Sequence, residues 1–363
     1  MLTFLKRFLF FLLDWIWSKD DTLVFFLGKS SQVLSASTWI PFLEAKKNPK
    51  YTVHYSLNKK NVDLGIVDYR SLSTFFKLLR ARYVFLSHGP GDVPYAWWSG
   101  RKVVTYIGHG VPLKSFMHTD NHLSLKEKIV LFLELPFYKY IIASSHSDQE
   151  NLQKCFRKND KQVIVSGLPK NDILFNKTHK LKDQYPGKKI ILYAPTFRGW
   201  GHAVLFPFID KDIEKLNVFL EENNYILLVR RHRNDPKQGI VNISSIKEFG
   251  PDVEPEIQFV LNEIDILLTD YSSLIIDFLL LDRPIGLIPY DRNEYLSRRG
   301  FHYDYDQVSP GPHILNQADL ISFLNMPETD FAVTERKRIK SIFHAFDDGI
   351  NSKRMLELIL ERD

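Results

Sequence analysis

The sequence predicts an α/β protein built from two open parallel-sheet domains in series. Short runs rich in Val, Ile, Leu and aromatic residues recur along the chain, each closed by turn residues. Between them lie stretches long enough for helices or long loops, the mark of α/β units on a sheet buried on both faces. The pattern breaks once, at a polar Lys-rich segment, and then restarts. At 363 residues, against a prior of roughly 150 per domain, two domains are the natural division.

Residues 2–17, LTFLKRFLFFLLDWIW, come first. Wound as a helix, they gather Thr3, Lys6, Arg7 and Asp14 into one arc and leave the rest apolar. The segment is shorter than the roughly 20 apolar residues a bilayer span needs. Asp14 interrupts the apolar run and no small-residue cleavage site follows, so a signal peptide is disfavoured. Two readings stand. The helix lies in a membrane interface, with Lys6 and Arg7 at anionic headgroups and Trp15 and Trp17 at the boundary. Alternatively it buries its face against the protein's own core or a second subunit. The width of the apolar arc favours the membrane.

The strand runs then follow: TLVFFLG (22–28), YTVHYSL (51–57), RYVFLSHG (82–89), KVVTYIGHG (102–110), YIIASS (140–145) and QVIVSG (162–167). The stretch NKTHKLKDQYPGKK (176–189) has no apolar periodicity and reads as a linker. Beyond it come KIILYAPTF (189–197), YILLVRRH (225–232), DILLTDYSS (265–273) and PIGLIPY (284–290). Helices are expected over 210–223 and 273–281, the latter stopping before Pro284. The reading divides the chain into an amphipathic segment 1–19, domains 20–180 and 181–345, and a last helix 346–363. No internal repeat or low-complexity segment is found.

Composition excludes several classes. Lys and Arg number 48 against 43 Asp and Glu, a net charge of +5. That excess suits an anionic substrate or a phospholipid surface and is too small to argue for nucleic acid. A single cysteine, Cys155, rules out an internal disulfide or a CxxC zinc knuckle. LGKSS (27–31) resembles the end of a P-loop, but Leu23 stands where a Walker motif needs glycine. No HExxH, EF-hand or GxSxG pattern occurs.

Two such domains imply a cleft, and ligands of open α/β sheets bind outside the carboxyl ends of the strands. His109 stands there between Gly108 and Gly110, whose backbones permit close substrate approach. Its imidazole suits a general base; a loop histidine bonded to a carbonyl is the plainer reading. In DYSSLIIDFLLL (270–281), Asp270 ends a strand and Ser272 or Ser273 can cap the next helix, leaving amides and a hydroxyl for a phosphate. Arg230, Arg231, His232 and Arg233 crowd another strand end, as a pyrophosphate site or a solvated basic loop. In YAPTFRG (193–199), Thr196 and Arg198 lie between Pro195 and Gly199, and Arg198 can grip phosphate bidentately. In AFDDGINSKRM (345–355), Arg354 follows a turn.

In this order, HGVPLK, APTFR, RRH, DYSS and DDGINSKR resemble the CDP-glycerol glycerophosphotransferase family of teichoic acid synthesis. SGLPKNDILF (166–175) and the stretch 284–312 resemble it too, so the likeness covers roughly residues 100–355. It implies a GT-B-like architecture, with two Rossmann-like domains facing across a cleft. It implies a CDP-glycerol or CDP-ribitol donor and a lipid-linked saccharide or polymer acceptor. It further implies a peripheral place on the cytoplasmic face of the bacterial membrane, and no cofactor or metal. His109 matches the family's base, and His232, Ser272 and Ser273 its donor-phosphate group. Thr196, Arg198 and Arg354 match further donor-side positions, and Gly110, Arg231 and Asp270 complete the expected substrate-binding set. The sequence departs from the family at Val111, where Thr is frequent, and before residue 100 little matches except FLGKS. Self-association is left open. The rival readings are a nucleotide-sugar glycosyltransferase of the same fold and a non-catalytic membrane-docking assembly subunit.

Overall fold

In the computed structural model the chain forms two compact units. The first comprises Met1–Val111, Phe116–Ile173 and Phe343–Asp363, the second Pro112–Ser115 and Leu174–Ile342. The structure describes residues 2–28, 34–89, 92, 93, 95–232, 235 and 242–361, so Arg233 and residues 29–31 lie outside it.

The first unit carries seven strands: β1 (Asp20–Leu27), β2 (Thr52–Leu57), β3 (Ile66–Asp68), β4 (Ala81–Leu86), β5 (Val103–Tyr106), β6 (Tyr138–Ala143) and β7 (Val163–Val165). They pair in parallel in the order β3-β2-β1-β4-β5-β6-β7. Strand alternation sends Leu23, Phe25 and Leu27 to one face and Val24 and Phe26 to the other. The first face packs on residues of α1 (Leu2–Ile16), α3 (Leu72–Arg80), α4 (Leu125–Glu134) and α5 (His146–Phe156); the second packs on α2 (Ala36–Ala45) and α12 (Asn351–Leu360). Because both faces are covered, the strands read as near-continuous apolar runs.

The second unit holds β8 (Lys189–Tyr193), β9 (Tyr225–Val229), β10 (Ile246–Glu248), β11 (Ile266–Thr269) and β12 (Ile285–Leu287), all parallel, in the order β10-β9-β8-β11-β12. Its helices are α6 (Lys180–Gln184), α7 (Ile213–Glu222), α8 (Leu274–Phe278), α9 (Arg292–Arg299), α10 (Gln317–Asn325) and α11 (Asp330–Phe343). Each strand run read from the sequence coincides with a strand. The edge strands β3 and β10 have no such run, because Ile66-Val67-Asp68 and Ile246-Lys247-Glu248 carry charged residues where the equally short β7 and β12 are apolar.

Other expectations change. The stretch read as a linker contains α6, whose Leu181 is fully buried. Glu263 accepts from the Leu181 and Lys182 amides at 2.7 and 2.9 Å, tying the segment into the second unit. The division read at 180/181 falls at 173/174, and the last helix packs on the first unit's sheet.

The N-terminal helix departs from the headgroup reading at Arg7 and Trp17, while Lys6 and Trp15 are exposed as that reading requires. Arg7 donates to the Ala96 carbonyl at 3.2 Å and pairs with Glu134. Asp14 is completely buried; Lys19 and Lys102 reach its Oδ1 at 2.9 and 3.0 Å, and the Ser99 amide and hydroxyl donate to Oδ2. Phe10 packs between Phe75, Tyr95 and Trp98. Arg7 and Asp14 therefore face the protein, while Lys6, Leu5, Phe8, Leu9, Leu12, Trp15 and Ile16 are exposed. Trp17 lies on the inner side, packed against the core and near Phe76.

Candidate active site

Most of the expected site residues lie just beyond the carboxyl ends of strands. In the first unit, β4 runs into Ser87-His88 and β5 into Gly108-His109. Gly108 adopts φ +76°, a left-handed turn that glycine accepts without cost. The turn leaves the His109 side chain exposed. His109 Nδ1 lies 3.5 Å from the Ser87 carbonyl, and Lys170, itself buried, donates to the His109 carbonyl at 3.0 Å. The His88 ring stacks on the His109 ring, with centroids 4.5 Å apart and planes 6° from parallel. Sequence reading missed His88; its only signal was a histidine just past a strand run, as at His109.

Arg354, which the resemblance assigns to the donor side, lies in the first unit. Its guanidinium donates to the Ser166 carbonyl at 3.0 Å and Asn351 Oδ1 at 2.8 Å, pairs with Asp348, and lies over the Phe346 ring. Asp172 accepts from the amides of Asn351 and Ser352 at 2.8 and 2.7 Å, holding the start of α12. Gly167, at φ +78°, could carry no side chain there: a Cβ would fall 2.1 Å from Asn351 Oδ1. Two motif segments far apart in sequence thus lock to each other, with the Arg354 guanidinium bonded to both.

In the second unit, Thr196, Arg198 and Asp270 come together. Asp270 Oδ1 accepts from the Thr196 and Tyr271 amides at 2.8 and 2.6 Å, and Oδ2 from Arg198 at 2.8 Å. Asp291, unrecognised in the sequence, takes Arg198 Nε at 2.7 Å and Nη2 at 2.9 Å, and accepts from the Tyr271 hydroxyl. The guanidinium also lies over the rings of Tyr271, Tyr290 and Tyr295. Burial works against its charge, but the Asp291 hydrogen bonds and the Asp270 charge hold its pKa raised. Arg198 is only 2% exposed and its donors are taken by the protein, so it sets the strand-end loops instead of presenting a fork to solvent. The Thr196 hydroxyl has no hydrogen-bond partner.

The basic run divides in the same way. Arg230 donates to the Phe249 and Glu254 carbonyls, and Arg231, buried, to Glu248 at 3.2 Å. His232 is exposed and stacks on Phe197 at 5.0 Å. Ser272 accepts from the Leu274 amide at 3.2 Å at the head of α8, while Ser273 makes no side-chain cap. The helix expected over 273–281 is α8 followed by a 3-10 turn, Leu279–Leu281. Lys114, close behind His109 in sequence, belongs to this unit: it bridges Phe301 and sets its ammonium 5.3 Å from the Tyr295 ring centroid, where burial pulls its pKa down to about 8. Among the described residues no cluster of three or more His, Cys, Asp or Glu side chains could hold a metal.

Comparison with known proteins places this geometry. The chain is 28% identical over 382 residues to a teichoic acid poly(glycerol phosphate) polymerase of Bacillus spizizenii, covering 94% of this chain and 93% of that one. It is 31% identical over 268 residues to a teichoic acid poly(ribitol-phosphate) polymerase of the same species, covering 69% of this chain. Against that relative and a Staphylococcus aureus ribitol-phosphate polymerase, the match spans only 39% and 44% of the relative's length. The fold resembles that of the wall teichoic acid polymerase TagF, with TM-score 0.79 at 20% identity over 98% of this chain and 93% of that one. More distantly it resembles an S. aureus MnaA-UDP co-structure, at 0.58 and 14% over 94% and 95%. Residues 9–361 match the CDP-Glycerol:Poly(glycerophosphate) glycerophosphotransferase family, and the chain belongs to that family.

Proposed function

We propose that the protein transfers glycerol phosphate from CDP-glycerol to a hydroxyl of a membrane-linked polymer and releases CMP. The observation that carries this reading is a family match over nearly the whole chain in which an exposed histidine, His109, stands at the end of a parallel strand. Glycerol is preferred over ribitol because the poly(glycerol phosphate) polymerase relative aligns over nearly all of both chains.

In this reading the second unit binds the donor and the first supplies the base. The donor pyrophosphate lies against the Ser272 and Ser273 hydroxyls and the exposed His232, with the free Thr196 hydroxyl beside it. The acceptor oxygen attacks the glycerol-bearing phosphorus in line. A new P–O bond forms, the bond to CMP breaks, and His109 takes the hydroxyl proton. His232 and the serines stabilise the charge left on CMP, and holding both substrates in register supplies much of the acceleration. Asp270 and Arg198 act through the loops they set.

Attachment to the cytoplasmic leaflet is the accompanying proposal. It rests on the outward apolar face of α1 and on Leu125, Ile129 and Phe132 of α4, which are exposed beside Lys126 and Lys128. Among the described residues no helix is long and apolar enough to cross a membrane, so the contact is interfacial.

The test supplies CDP-glycerol or CDP-ribitol with a lipid-linked acceptor in liposomes and follows CMP. Acceptor-dependent release with CDP-glycerol is expected, falling ~10²–10⁴-fold in folded His109→Ala. Release only from CDP-ribitol changes the polyol. No release from either donor, or full turnover in the variant, overturns the reaction or the base.

A further inference from the structure

We propose that Lys114 and Arg299 form a phosphate site of the second unit, which takes an ester phosphate of glycerol phosphate carried by the acceptor chain or by the donor. The inference rests on the polyol-phosphate transfer proposed above. Antiparallel pairing plants Lys114 in this unit. The Ser115 amide donates to the Gly300 carbonyl at 3.4 Å, the His302 amide donates to the Leu113 carbonyl at 2.9 Å, and Lys114 bridges Phe301. Helix α9 ends at Arg299, and Gly300, at φ +65°, turns the chain into that pairing, a conformation that favours glycine. Two cations far apart in sequence thereby meet at one end of α9. The Lys114 ammonium lies 5.3 Å from the Tyr295 ring centroid. Arg299 is exposed, its Nη2 3.9 Å from where a Cβ on Gly199 would stand, and its charge acts on both the ammonium and the Tyr295 phenol.

The neighbouring carboxylates are already spent. Asp270 and Asp291 bind Arg198, Glu294 binds Arg298 at 3.0 Å, and Asp306 pairs with Arg292. Among the described residues neither Lys114 nor Arg299 has a carboxylate within ion-pair distance. The Asp270 charge favours the charged form of Lys114, but burial outweighs it, with the Arg299 and Arg198 charges adding to that effect, and the pKa falls to about 8. A partly buried ammonium without a counter-ion is a costly arrangement, and an anion seated beside it relieves both the burial and the repulsion. A third donor is unsatisfied at the same end of the helix: the Tyr295 side chain is fully buried and its hydroxyl has no hydrogen-bond partner, which is uncommon in a native fold. A phosphate group answers all three, with negative charge for Lys114 and oxygens that match the Arg299 fork. The place suits the reaction as well. The Tyr295 ring stacks on Tyr271 at 4.1 Å, and Tyr271 leads directly into Ser272 and Ser273. The site therefore adjoins the residues assigned to the donor pyrophosphate, and a glycerol phosphate polymer carries a phosphate next to its attacking end.

The test measures binding without turnover, by calorimetry, in Lys114→Met, which keeps an apolar stem at the Tyr295 ring, and in Arg299→Gln. The probes, each used alone, are a short lipid-free glycerol phosphate oligomer and CDP-glycerol. Both variants should weaken the same probe, about 10-fold for Lys114→Met and severalfold for the exposed Arg299, the scale of one charge-assisted contact. Weaker oligomer binding with CDP-glycerol unchanged gives the site to the acceptor chain, and the reverse gives it to the donor. Wild-type affinity for that probe should also decline as pH rises through about 8, where Lys114 gives up its proton. The decline should vanish in Lys114→Met, a response that a packing role would not produce. Unchanged affinity for both probes in the folded variants, or a decline with pH that survives in Lys114→Met, overturns the site. CMP release by the wild type is read separately. Its absence overturns the transfer reaction, while a loss of probe affinity in the variants would still leave the phosphate site standing.

Discussion

Replacing Leu9, Leu12 and Ile16 together by Ser tests which face of α1 meets the membrane. These side chains are 53, 44 and 63% exposed, so folding has already removed roughly half of each from water. Full burial of such a side chain stabilises by about 1.5–3 kcal/mol, so membrane insertion has about 1 kcal/mol per residue left to gain. Losing three such contributions, about 3 kcal/mol, lowers vesicle partitioning about 100-fold. Sedimentation with vesicles containing anionic lipid measures this, and urea unfolding serves as the control, since solvent-facing changes should leave stability within about 1 kcal/mol. Arg7→Ala is the opposite probe. Arg7 faces the protein, where it pairs with Glu134, whose carboxyl burial raises to about 7 despite that pairing. Its removal should lower stability and leave vesicle affinity within about twofold. A folded triple variant that binds vesicles as wild type does, or an Arg7→Ala protein that is stable but no longer binds, would refute the orientation.

Two further outcomes follow from buried charges. Asp14→Ala strands the Lys102 ammonium, which otherwise has the carbonyls of Leu78, Leu79 and Ala81 around it; unfolding in urea should show a loss of about 3–5 kcal/mol, partly recovered when Asp14→Leu is combined with Lys102→Met, and a loss under about 1 kcal/mol would contradict the cluster's burial. Asp148 sits fully buried at the start of α5, and burial raises its pKa from 3.8 to about 6. Between those values the folded state keeps a proton that the unfolded state releases, so this group's stabilisation is present below about pH 4 and lost as pH rises through 6. Relative to Asp148→Asn, the wild type should lose up to about 3 kcal/mol between pH 4 and 7; a difference independent of pH would show that the group is ionised throughout.

Strand runs such as TLVFFLG and YILLV were legible because a strand buried on both faces shows itself as consecutive apolar residues, and the residues just past each run then follow by position alone. That is how His109, Thr196, His232, Asp270 and the two serines were found, and why the family could be read from their order. What those residues touch was not legible. Amphipathicity determined which residues of α1 share a face, but an arc with Arg7 and Asp14 suits headgroups and buried partners equally well. The choice was made by Glu134, Ser99 and Lys102, which only folding brings to that helix. Likewise the sequence offered Arg198 for phosphate and matched Arg354 to the donor side, but only the fold shows that Asp270 and Asp291 hold the first guanidinium and the Ser166 carbonyl, Asn351 and Asp348 the second. The edge strands β3 and β10 pair with a neighbour's backbone although Asp68, Lys247 and Glu248 break their apolar runs, which hid them in the sequence. His88 became a partner of His109 only through the register of two parallel strands. The sequence by itself determined the fold class, the family and the strand-end positions, since these follow from local periodicity and motif order. The tertiary structure alone decided the facing of α1, the engagement of each cation and the pairing of the imidazoles, because each depends on groups distant in the chain and adjacent in space.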